Sequence, residues 1–166
     1  KEQEYRARMF NLLESEGDPF SREHYRPGHF TCSSFVLSPD STSLLLIYHS
    51  KLKRWLQPGG HTEPGDPDVF AAAHREALEE TGIDGLQLVD GLVLFDLDIH
   101  LIPGRGDEAA HEHFDLRFLF QASGWEALAG SDAMDARWVG FADVNNHESD
   151  ISVMRAVEKL RLRFPV

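Results

Sequence analysis

The sequence predicts an α/β fold of one domain, with three helices and several strands. Three observations carry that expectation. Apolar residues recur at helical spacing near both ends of the chain, a well-capped helix occupies the middle, and runs of alternating polar and apolar residues lie between them.

Residues 2–14 set Tyr5, Met9, Phe10, Leu12 and Leu13 at roughly helical spacing, an amphipathic helix for the outside of the domain. Gly17-Asp18-Pro19 ends it, and 22–28 is an irregular connection. Strands are predicted at 29–37 and 44–49, joined by the turn Ser38-Pro39-Asp40-Ser41. A basic loop with Lys51, Lys53 and Arg54 leads through Trp55-Leu56-Gln57 into a glycine loop at Gly59-Gly60.

The central helix is predicted over 69–81. Asp68 can cap its N-terminus, and Gly82 suits the left-handed position that ends it. Its charges run against stability. Glu79 and Glu80 occupy the last turn, at the negative end of the macrodipole, and Glu76 lies three and four residues before them. Like-charged i,i+4 pairs cost about 0.2–0.5 kcal/mol each. Arg75, one turn before Glu79, offers partial relief. A hard divalent cation drawing the carboxylates together would explain the arrangement.

Beyond the helix, 86–89 is a short apolar segment. Residues 92–101 alternate, with Phe95, Leu97, Ile99 and Leu101 opposite Asp96, Asp98 and His100. After a loop at 102–107, residues 111–120 alternate again, with His111, His113, Asp115 and Arg117 opposite Phe114, Leu116, Phe118 and Phe120. These two strands are expected to pair as a hairpin that brings the polar rows together. Arg137-Trp138-Val139 reads as a further strand. Asp150 can cap a C-terminal helix over 151–163, with Ile151, Met154, Val157 and Leu160 as its apolar stripe.

The chain of 166 residues is long enough for a proper core, and 42% apolar with 27% charged residues describes a globular protein. A formal charge of −12 argues against a nucleic-acid polymer as partner, since its phosphates would be repelled. A small phosphate ester met by a bound cation stays open. The single Cys32 reads as a buried thiol in a reducing compartment. No apolar run reaches the length of a membrane span, and the charged N-terminus lacks the apolar core of a secretion signal. A cytoplasmic location and no membrane partner are expected.

Gly60, Arg75-Glu76, Glu79-Glu80 and Gly82-Ile83 resemble the signature of the Nudix hydrolases, G-x5-E-x7-R-E-U-x-E-E-x-G-U with U a bulky aliphatic residue. The tail R-E-A-L-E-E-T-G-I fits. In the head, the sixth residue after Gly60 is Asp66 rather than Glu, and eight residues rather than seven separate it from Arg75. The role of the loop carboxylate therefore stays open between Asp66 and Asp68. The runs His29-Phe30-Thr31, Arg54 to His61, Asp98-x-His100-x-Ile102-Pro103, His113-x-Asp115-x-Arg117 and Arg137-Trp138-Val139 are similar to a MutT-like bacterial branch of the family.

The resemblance implies an α/β/α sandwich with a mixed, mainly antiparallel sheet between helices. It places a Nudix core at 29–145, between an N-terminal helix and connection (1–28) and a C-terminal helix (146–166). It implies Mg2+, with Mn2+ as a substitute, held by Glu76, Glu79, Glu80 and a carbonyl of the Gly59-Gly60 loop, and it makes Glu76 a candidate for activating water. Arg75 would orient the carboxylates. Glu108, Glu112, Asp115 and Asp132 are candidate bases among which the sequence does not choose. Within such a fold the polar hairpin face would lie near the catalytic helix, so His100, His113, Asp115 and Arg117 are expected to line the substrate pocket, together with Arg54, Gly60 and His61.

The expected activity is hydrolysis of the diphosphate linkage in a nucleoside diphosphate joined to another moiety. An isomerase of the isopentenyl diphosphate type would need a suitably placed Cys, and Cys32 sits in a strand. A nucleotide-binding sensor without catalysis would be expected to lack one of the metal carboxylates. A transition-metal site among the nine His residues is disfavoured by their irregular spacing and the lack of Cys partners. The oligomeric state stays open, a homodimer included.

Overall fold

The computed structural model describes residues 1–89, 91, 94–130, 133–147 and 149–164. Its spine is a parallel pair, β1 (Gly28–Leu37) and β7 (His111–Gln121), in register from Gly28 opposite Glu112 to Leu37 opposite Gln121. The other pairings are antiparallel. On β1 lie β2 (Ser43–His49) and the short β4 (Gly59–His61), and on β2 lie β3 (Arg54–Leu56) and β8 (Ala133–Gly140). On β7 lie β5 (Gln87–Leu88) and β6 (Asp96–Ile102). The result is a mixed, mainly antiparallel sheet of eight strands. The start of the predicted 92–101 strand, Leu92 and Val93, lies outside the described residues, as does Asp132.

Helices cover both faces of the sheet, and the period of two along β1 divides the core between them. Cys32 and Val36 point toward α2 (Val69–Thr81), where they meet Ala72, Ala73 and Ala77; these small residues let the helix lie close to the strands. Phe35 and Leu37 point the other way, into a cluster with Leu44, Leu46 and the inner side of α3 (Ile151–Arg163). The N-terminal helix α1 (Glu2–Leu13) buries Met9 and Leu12 against Phe30, Ile99 and Phe114. As the sequence predicts, the side chain of Asp68 caps α2 by accepting from the Ala71 N–H at 2.8 Å, and Gly82 closes it at φ 64°.

Two expectations need correcting. The C-terminal helix is rolled relative to the predicted stripe: Val153 and Ala156 join Val157 and Leu160 inside, Ile151 is exposed, and Met154 is only partly buried. The reason lies in β6, whose Asp96 and Asp98 are not on an open polar face. They are buried beneath α3 with Arg117, and Arg155 and Lys159 of the helix reach down to them. Secondly, Gly59–His61 is a strand rather than a loop.

The acid network predicts a pH response. Burial alone would raise the Asp96 and Asp98 carboxyls. Hydrogen bonds from Arg155 and Lys159 to Asp96, those from His100 and Arg155 to Asp98, and the Arg117 charge outweigh it, so both sit below the usual carboxylate range. Groups depressed on folding stabilise the protein above their unfolded pKa, and that contribution is lost as pH falls toward the folded value. Melting temperature is therefore expected to fall as pH drops below about 4, the unfolded carboxylate value. Asp98→Asn should flatten that slope in thermal scans across the acid range; an unchanged slope would refute the assignment.

Candidate active site

The acidic end of α2 faces β4 across the mouth of a cleft of about 1300 Å³. Glycine at 59 and 60 is what allows this approach. A Cβ on Gly60 would stand 2.5 Å from the Glu76 carboxylate, and one on Gly59 would stand 2.5 Å from Ser33 Oγ. Glu80, 5% exposed, accepts from the Gly59 N–H at 2.9 Å. Gly60→Ala is accordingly expected to push the Glu76 carboxylate aside. Its turnover should fall at least about tenfold while the fold survives, since the far end of a flexible side chain can yield; steady-state rates with a melting curve check this.

Arg75 holds the arrangement together. Its Nε and one terminal nitrogen grip both oxygens of Asp66 at 3.0 and 2.9 Å, in the two-pronged geometry guanidinium favours. That terminal nitrogen also donates to the His61 carbonyl at 2.9 Å, and the other reaches Glu76 at 3.0 Å and Glu79 at 3.2 Å. The question left open between the two loop aspartates is thus resolved geometrically: Asp66 is the partner of Arg75, and Asp68 caps the helix. Bonding to Asp66 and Glu76 raises the Arg75 pKa above its ordinary value. Burial lifts the Glu76 carboxyl above its usual range, with Arg75 opposing and Glu79 adding repulsion.

One guanidinium shared among Asp66, Glu76 and Glu79 leaves excess negative charge, with Glu80 beside it. The donors are all oxygen, which suits a hard divalent cation such as Mg2+ better than a soft one. The residues present therefore fit the metal implied by the sequence.

The two predicted strands do pair and bring their polar rows together, with Asp96 opposite Arg117, Asp98 opposite Asp115 and His100 opposite His113. Its two ends have different fates. At one end His100, His113 and Asp115 line the cleft. At the other, Arg117 is 1% exposed and bonds Asp115 at 2.7 Å, Asp96 at 3.2 Å and Asp98 at 3.3 Å, so it does not line the pocket as expected. Alternation along a strand reports which side a residue faces, not what covers that side.

Other expected residues also move. Arg54 is exposed beside Ser149, Asp150 and Ile151, in a separate depression rather than the cleft. Glu112 turns away to pair with Arg8 of α1. Asp115 is buried and accepts from Ser33, Thr31 and Arg117, which leaves it poorly placed to take a proton. Of the candidate bases among the described residues, Glu108 is exposed on the cleft wall.

Sequence reasoning missed His29. It lies on β1 opposite His113, while His61 on β4 lies opposite Thr31, so both join the same face as the polar row. Ring centroids are 5.0 Å apart for His29 and His61, 4.8 Å for His29 and His113, and 5.1 Å for His61 and His113. Irregular spacing in sequence did not keep these rings apart. Burial and the neighbouring imidazoles hold the pKa of His113 well below the ordinary value, and burial with His29 lowers that of His61 to about 4.

Residues 29–157 match the family model for the NUDIX domain. The chain belongs to the Nudix family. Among solved structures, a Nudix-family hydrolase from Clostridium perfringens is 26% identical, with TM-score 0.59 over 86% of this chain and 99% of that one. The Nudix domain of Shewanella oneidensis NrtR, solved with ADP ribose, is 17% identical, with TM-score 0.61 over 98% of both chains. The dihydroneopterin triphosphate pyrophosphohydrolase of E. coli is 18% identical, with TM-score 0.64 over 84% of this chain and 97% of that one. A search of curated proteins finds no significant sequence match. The protein is a Nudix pyrophosphatase, a hydrolase of phosphoric anhydride bonds. Nudix hydrolases typically use a divalent metal. No helix among the described residues is long and apolar enough to cross a membrane.

Proposed function

We propose that this Nudix enzyme uses Mg2+, or Mn2+ in its place, to cleave the diphosphate linkage of a nucleoside diphosphate joined to another moiety. The observation that carries the reading is the approach of Glu76 to Gly60 and of Glu80 to Gly59, with Glu79 held beside Glu76 by Arg75. The cleft beside them is large enough for a nucleotide derivative. Nucleotide ligands in Nudix-fold neighbours, such as the ADP ribose of NrtR, support the substrate class.

A diphosphate resists attack because its oxygens repel an incoming nucleophile. A divalent ion held by Glu76, Glu79, Glu80 and a Gly59 carbonyl would neutralise those oxygens and lower the pKa of water. The chain's own residues do the positioning. Arg75 fixes the rotamers of Glu76 and Glu79 and ties them to Asp66, so the carboxylates are arranged before substrate arrives. Glu76, beside Gly60 in the cleft, is the first candidate to receive a proton from the attacking water, with Glu108 as the second. His100 and Gly60 line the pocket around the substrate. His100→Ala should raise KM for the true substrate with little change in kcat; identical KM in both proteins would remove it from the pocket.

Residues 29–145 would then be the catalytic core, with 1–28 and 146–166 as parts of the same domain. The pairs Arg8–Glu112 and Arg155–Asp98 tie both flanking helices to the sheet and support this reading. A buried lone thiol, raised in pKa by burial, agrees with a cytoplasmic setting. The test is a panel of nucleotide diphosphate derivatives with Mg2+ or Mn2+, scored by phosphate released after a phosphatase step. Glu79→Gln, Glu80→Gln and EDTA serve as controls, and activity that survives all three would end the metal reading.

A further inference from the structure

We propose that His29, His61 and His113 form a second metal site, for a borderline transition ion of the Zn2+ class, separate from the carboxylates of α2. One ligand atom from each of the three side chains lies within 4.8 Å of the others. They come from three different strands, β1, β4 and β7, whose register puts all three on one face of the sheet.

His29 supplies the second observation. It is fully buried, and its Nδ1–H donates to the His24 carbonyl at 3.2 Å. In the neutral ring this leaves the lone pair on Nε2, and that nitrogen is buried with no hydrogen-bond partner among the described residues. A backbone carbonyl fixing one ring nitrogen so that the other can ligate is the usual support of a metal-binding histidine. His111 beside the group donates its Nδ1–H to the Ala109 carbonyl at 2.7 Å, so its Nε2 accepts from His113 Nε2–H at 3.2 Å and His113 would ligate through its other ring nitrogen. It steadies His113 from outside the trio.

Donor chemistry selects the ion. Imidazoles favour Zn2+, Co2+ or Ni2+, whereas Mg2+ prefers the oxygens of α2. Zn–N bonds of about 2.0–2.1 Å in a tetrahedron place nitrogens about 3.3 Å apart, so the rings need to close by no more than about 1.5 Å. His61 and His113 line the cleft. The fourth position therefore opens toward it and can accept a water or a substrate oxygen. Three protein nitrogens with one open place is the ligand count of a reactive site rather than a sealed structural one.

The site is tested on the full chain made without a histidine tag, stripped with EDTA and titrated with Co2+ under excess Mg2+, which occupies the carboxylates. The expected result is the strong visible absorption of four- or five-coordinate Co2+. His61→Gln and His113→Gln should each weaken binding at least about tenfold, while Glu79→Gln and the distant His74→Gln leave the spectrum intact. Zn2+ should also raise the melting temperature of the unmodified protein under the same Mg2+, a readout that needs no variant to fold. Only the weak absorption of six-coordinate Co2+, a spectrum persisting in both folded His variants, or no Zn2+ shift would each overturn the proposal. None of these readouts depends on pyrophosphatase activity, so an inactive but cobalt-binding protein would refute the proposed substrate class alone.

Discussion

Glu76→Gln is expected to cut hydrolysis at least about a hundredfold, equivalent to about 2.7 kcal/mol of transition-state stabilisation, while raising the melting temperature of the metal-free protein. The opposite signs have one cause. Glu76 is mostly buried against Gly60, and its cationic partner Arg75 is shared with Asp66 and Glu79. Its folded pKa is raised, chiefly by burial, so the ionised form destabilises the fold above that pKa. The amide keeps an oxygen for Arg75 and removes the charge. Added Mg2+ should reverse the order of stability, because the unmodified protein gains a ligand the variant holds poorly. A variant that melts lower without metal would show that the buried Glu76 charge does not destabilise the fold, and one that keeps most of its rate would show that Glu76 is not a ligand.

Arg117→Met should lower stability by about 3–5 kcal/mol, the usual effect of breaking a buried ion pair from one side. For a chain of this size that is a fall in melting temperature of roughly 6–20 °C. Three carboxylates lean on this guanidinium: Asp96, Asp98 and Asp115. Arg155 and Lys159 reach the first two from α3, but among the described residues Asp115 would keep only the Ser33 and Thr31 hydroxyls. The KM of the protein that remains folded should change little, since Arg117 does not touch the cleft. A large KM effect without loss of stability would restore the expectation drawn from strand alternation.

Local sequence was a good guide wherever the deciding contacts are local. The bounds of α2 follow from Asp68 and Gly82, both of which act within one turn of the helix. The carboxylate end of α2 was legible for the same reason, since helical spacing alone puts Glu76, Glu79 and Glu80 toward one side of the helix end. The extra residue before Arg75 was not readable, because either loop aspartate could reach it along the chain. Only the folded loop shows that Asp66 turns inward and Asp68 stays with the helix.

What the sequence by itself determined is the Nudix helix with its acidic end, the paired strands β6 and β7, and the face each of their side chains takes. What only the tertiary structure decided is which part of that face is covered. The weight of α3, brought over by Arg155 and Lys159, seals Arg117 and the aspartates beneath it, while β4 leaves the histidine end open to the cleft. Period-two alternation is a property of a single strand. Burial, and the meeting of His29, His61 and His113, depends on which strands and helices become neighbours, and those contacts join residues far apart in the chain.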